Sequence, residues 1–85
     1  MASREDLIAA LDLAQAGDWE GAHSKTQELE GDAIADWLHA VLHKIEGDAA
    51  NARYWYARIL QSYEDFPDPQ AELAAIRGTI DRVKG

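Results

Sequence analysis

From Asp32 to Tyr63 the chain carries two helix patterns back to back across Gly47-Asp48, and this arrangement restricts the fold more than any other feature. In the first pattern Ile34, Trp37, Leu38, Val41, Leu42 and Ile45 recur at i, i+3, i+4, i+7, i+8 and i+11, which is one apolar stripe of an α-helix. Ala52, Trp55, Tyr56, Ile59, Leu60 and Tyr63 repeat those offsets in the second. Neither helix buries its apolar side alone, and so short a turn brings the two stripes face to face. The pattern predicts an antiparallel helical hairpin.

Helix punctuation extends the reading to the rest of the chain. Ser3 with Asp6 three residues on resembles a capping box, and a first helix from about Arg4 to Ala16 turns Leu7, Ile8, Ala10, Leu11 and Ala14 inward. Gly17 ends it. Asp18 caps a second helix with the stripe Trp19, Ala22, His23, Thr26 and Leu29, which Gly31 ends before Asp32 caps the third. The fourth helix is expected to run to Tyr63, where Glu64-Asp65-Phe66-Pro67-Asp68-Pro69 stops it. Asp68, with Pro69 in the first helical position, then starts a fifth helix with the seam Leu73, Ile76, Ile80 and Val83. No segment reads as a strand.

A 30-residue offset runs through this pattern. It pairs Leu7 with Trp37, Ile8 with Leu38, Ala10 with Ala40, Gly17 with Gly47, Asp18 with Asp48, Ala22 with Ala52 and Leu29 with Ile59, so the two hairpins form an internal repeat. A large residue early in the first helix (Trp37), a small one soon after (Ala40), a Gly-Asp turn, then Ala52 and an aromatic at Tyr56 together resemble the tetratricopeptide class of helical hairpin over residues 3–63. The period is shorter than in that class, Thr26 stands where Tyr56 does, and no Pro follows Leu29. The run Trp37 to Ile59 is also similar to a small uncharacterised all-helical family with a WLHAxLH…EGD…NARYWY core, to which no activity attaches. The resemblance implies an all-α fold of five helices. Two stacked antiparallel hairpins, residues 3–31 and 32–65, would be followed by a C-terminal capping helix within 66–85, all in one domain spanning 1–85. Two repeats are fewer than the three or so a solenoid needs to bury its faces, so the fifth helix or a second subunit must close the core, and a homodimer is expected.

Composition removes several classes of function. With no cysteine there is no disulfide, thiolate nucleophile or Cys-based metal site, which leaves His and carboxylates as metal ligands. Sixteen acids against eight bases, net −8, argue against nucleic acid and anionic membranes as partners. Nine of the acids and only two of the bases lie in residues 1–36, an acidic front suited to a basic partner or simply to solubility. The N-terminal segment starts with acids and spaces its apolar residues. It is therefore read as neither a secretory signal nor a membrane span, and a cytoplasmic location is expected.

Two groups of residues are candidates for a site. Asp36, His39, His43 and Glu46 step by three, four and three along the third helix, so two imidazoles one turn apart stand between carboxylates, and His23 supplies a third nitrogen if the second helix abuts the third. At about 100° per residue the two histidines fall opposite the Trp37 stripe, off the core, and Lys44 is read as a surface residue. The plainer reading is a solvated face of weak His–carboxylate pairs, with His23 half-buried against a neighbour. No Glu adjoins His39 as in zinc proteases, and no nucleophile or pocket can be named for catalysis. The second group is Tyr54, Arg58 and Gln61, on the far side of the fourth helix from its stripe. It is a candidate partner face, or a surface ring packing on the Arg58 stem or on the fifth helix. Three functions stay open. The first is a non-enzymatic module binding a peptide or protein, the second a His/carboxylate site for a divalent metal or small molecule, and the third a structural or oligomerisation domain.

Overall fold

The computed structural model describes residues 2–85 and contains five α-helices and, among the described residues, no strand. Helix α1 spans Arg4–Gln15, α2 Trp19–Glu28, α3 Ala33–Ile45, α4 Ala49–Tyr56 and α5 Pro69–Lys84, with a turn of 3-10 helix at Tyr63–Asp65 before α5. Each α-helix opens on a Ser or Asp whose side chain accepts a backbone N–H of the first turn: Ser3, Asp18, Asp32, Asp48 and Asp68. No helix is long and apolar enough to cross a membrane.

The 30-residue repeat is visible in the backbone. Gly17 and Gly47 take φ of 86° and 81°, a region costly for any residue with a Cβ. The N–H groups of Asp18 and Asp48 then reach back to the carbonyls of Leu13 and His43 at 2.9 and 3.0 Å, the 6→1 bond of a Schellman turn. Ala10, Ala40, Ala22 and Ala52 have no exposed surface. Their small side chains let α1 close on α2, and α3 on α4.

Helix α3 is the centre of the molecule. It packs against α1, α2, α4 and α5, and every residue from Ile34 to His43 is buried. The expectation that His39 and His43 lie off the core is therefore corrected. An amphipathic reading gives a helix one wet face, and a helix enclosed by four others has none.

Helix α5 does not cap an open end of a stack. It lies against α1 and α3, covering the first helix of each hairpin at once. Leu73, Ile76 and Ile80 are fully buried there, whereas Val83 is 63 % exposed and drops out of the expected seam. Glu72 has no exposed surface, since it stands four residues before Ile76 and eight before Ile80 on the same face. Its Oε2 accepts from Trp37 Nε1 at 2.8 Å and from Tyr56 OH at 2.6 Å. Its Oε1 accepts from Lys44 Nζ at 2.8 Å, and the same ammonium donates to the Phe66 carbonyl. Lys44 is thus an interior side chain, contrary to its reading as a surface one.

The fourth helix also ends earlier than expected, at Tyr56 rather than Tyr63. In a continuous helix, residues seven apart stand about 10 Å apart along the axis. Here the chain turns back so that the Tyr63 ring lies 5.8 Å from that of Tyr56, between Lys44 and Arg53. Leu60, counted in the stripe, is left 98 % exposed in the turn.

Candidate metal centre

The second and third helices bring all three histidines to one place. His23 occupies the inward stripe of α2, and His39 and His43 stand one turn apart on the side of α3 that meets α2. The rings lie centroid to centroid at 4.5 Å (His23–His39), 4.8 Å (His23–His43) and 5.0 Å (His39–His43). One ligand atom from each falls within 4.8 Å of the other two, close enough to share an ion. Trp55 of α4 stacks on His39 at 4.1 Å, and the Arg58 guanidinium lies over Trp55 at 4.7 Å, so four flat groups are layered from His43 out to solvent.

The polar contacts of the triad are few. His23 Nε2 and His39 Nε2 are 2.7 Å apart, so one carries the proton and the other accepts it. The Nδ1 atoms of His39 and His43 are buried without a hydrogen-bond partner. Interior polar atoms are seldom left in this way, because each costs about 1–3 kcal/mol. Glu46, the C-cap of α3, has its two carboxylate oxygens 3.8 Å from His23 Nδ1 and 3.7 Å from His43 Nδ1. Burial, together with the neighbouring His23 and His43, pushes the His39 imidazole down to about 4. Burial and then His23 also lower His43, against the opposing pull of Glu46 and Asp48. Both shifts favour the neutral ring, the form that ligates metals.

Four of the five residues read as metal ligands come together, and Asp36 does not join them. It is buried in the first turn of α3, where its Oδ1 accepts the N–H of Gly31, in the turn before the helix, at 3.2 Å. The Tyr54–Arg58–Gln61 group divides. Tyr54 is 57 % exposed and its hydroxyl accepts from Arg58, but α4 has ended by then, and Gln61 instead borders a hollow with Trp37, Phe66 and Arg82. Trp55 was legible as a core residue but not as the lid of the triad. The signal was its place on α4, the helix expected to pair with the one carrying His39. Compared with family models, curated proteins and solved structures, the chain matches none.

Proposed function

We propose that this protein is a small helical metal-binding module that holds one divalent transition-metal ion between α2 and α3 through His23, His39 and His43. The observation that carries the reading is the convergence of three imidazoles from two packed helices, two of them buried, with one ring nitrogen from each within 4.8 Å of the others. Imidazole sets suit zinc, copper, nickel and iron better than the hard alkaline-earth ions. Two nitrogens on one tetrahedral zinc stand about 3.3 Å apart, given bond lengths of about 2.0–2.1 Å. Binding therefore requires His23 and His39 to part by roughly half an ångström and the proton between them to move to Nδ1 of the ring that carries it, so that both Nε2 atoms are bare.

The test is thermal unfolding with zinc or nickel at pH 7.5. Free metal at a hundred times its Kd stabilises a domain by about 2.7 kcal/mol, or about 10–20 °C in Tm at this chain length. His23→Ala should remove that shift while leaving the metal-free fold largely intact, since His23 is the most exposed of the three. A Tm unmoved by either ion would end the metal reading and leave the triad as packing.

A peptide- or protein-binding role is favoured by a separate observation, the exposed Tyr54 and Leu60 flanking Arg58. We read the two hairpins as stacked in tetratricopeptide fashion, a reading supported by their matched Gly-Asp turns and by the contact of α2 with α3. Because α5 covers the shared face of α1 and α3, a partner would use the Tyr54 side.

A further inference from the structure

The position of Glu46 bears on how such an ion would be completed. Its carboxylate faces Nδ1 of both His23 and His43. The other nitrogen of His23, Nε2, meets Nε2 of His39. At 3.8 and 3.7 Å the carboxylate stands just beyond hydrogen-bond reach of both atoms, and a small approach on metal binding would let it hold their N–H groups and keep the opposite nitrogens for the metal, the role of an outer partner rather than a ligand. Among the described residues, the set able to share one ion is the three histidines, with no fourth donor. Trp55 closes the site over His39, and both α3 histidines are buried, whereas the side chains of His23 and Glu46 retain 25 % and 37 % exposure.

Building on the metal reading above, we infer that the ion is held by three imidazoles alone, with Glu46 as their positioning residue. Its fourth position opens to solvent beside His23 and accepts water or a small monodentate anion. Three protein ligands with an open position characterise reactive rather than purely structural sites, in which all four positions are filled by the protein.

The experiment uses the full chain loaded with cobalt(II), whose visible absorption reports coordination, titrated with sodium azide. The variants are Glu46→Gln, Glu46→Ala and His23→Ala, each checked for helicity by circular dichroism. Azide should shift the cobalt bands of the wild type and of Glu46→Gln. Glu46→Ala should keep the azide-free spectrum but bind zinc about 10–100-fold more weakly. Azide without effect on the wild type but active on Glu46→Ala would show that the carboxylate fills the fourth position, which overturns the inference. Unchanged zinc affinity in Glu46→Ala would overturn its positioning role. Failure of the wild type to take up cobalt, or equal uptake by His23→Ala, would refute the metal reading itself, and the uptake measurement, made before azide is added, separates that failure from the others.

Discussion

Lys44 and Glu72 should respond to substitution as a single unit. Lys44→Met removes the ammonium that donates to Glu72 Oε1 at 2.8 Å, leaving a carboxylate with no exposed surface and only the neutral donors Trp37 and Tyr56. The side chains are 7 % and 0 % exposed, so solvent screening does little to soften the loss. Taking one partner from such a pair costs about 3–5 kcal/mol. A domain of this length is stable by roughly 4–13 kcal/mol, at about 0.05–0.15 kcal/mol per residue, so the variant sits near its folding limit. Glu72→Gln alone should cost less, because one amide oxygen still accepts from Trp37 and Tyr56 while the ammonium keeps the Phe66 carbonyl. The double variant buries no charge and should be more stable than the sum of the single losses allows, by about 2 kcal/mol or more. Urea unfolding of the four proteins at pH 7 gives the coupling energy directly. A value below about 0.5 kcal/mol would mean the two groups do not share one desolvated site. A Lys44→Met loss of that size or smaller would return Lys44 to the surface.

Three further outcomes are expected. With metal chelated, stability should fall as pH drops from about 6.5 toward 4. The unfolded His39 takes up a proton near pH 6.5, while the folded one resists until about 4, so the unfolded state binds more protons in that window. Urea unfolding should show up to about 3 kcal/mol lost across it, and His39→Leu should flatten the slope. Gly47→Val should cost more than about 1 kcal/mol through its backbone alone, since nothing lies within 4 Å of the added Cβ; an unchanged Tm would contradict the left-handed turn. Val41→Ala should cost about 1–3 kcal/mol by emptying core volume and Leu60→Ala almost nothing, and equal losses by thermal melting would place Leu60 inside.

The parts legible in the sequence are those set by local rules. Caps at Asp18 and Asp48, positive φ at Gly17 and Gly47, and the inward stripes of α1 and α3 all follow from chemistry within one turn. What escaped depends on residues far apart. His39, His43 and Lys44 were assigned to a wet face because periodicity shows which side of a helix is apolar, not how many neighbours enclose it. Glu72 stood in line with Ile76 and Ile80, but its burial becomes intelligible only once Trp37, Tyr56 and Lys44 arrive as donors from two other helices. The end of α4 was misplaced for the same reason, since the stacking of Tyr63 between Lys44 and Arg53 outweighs the helical period through Leu60. Within the site, the pairing of His23 with the α3 histidines was conditional on α2 abutting α3. Asp36 was drawn in by spacing alone.

The docking of α5 across α1 and α3 orders events while the chain is being made. The α1–α2 and α3–α4 hairpins join sequence neighbours, and contacts of that kind form in microseconds to milliseconds. The ties from α1 to α5, Arg4–Asp81 and Asp12–Arg77, span 77 and 65 residues. Synthesis at about 5–20 residues per second leaves roughly one to four seconds between the addition of Tyr63 and that of Lys84. Until then Lys44 has no carboxylate to face, and the apolar groove that Leu73, Ile76 and Ile80 will fill lies open. Until α5 docks the chain shows apolar surface to solvent, and its docking covers that surface.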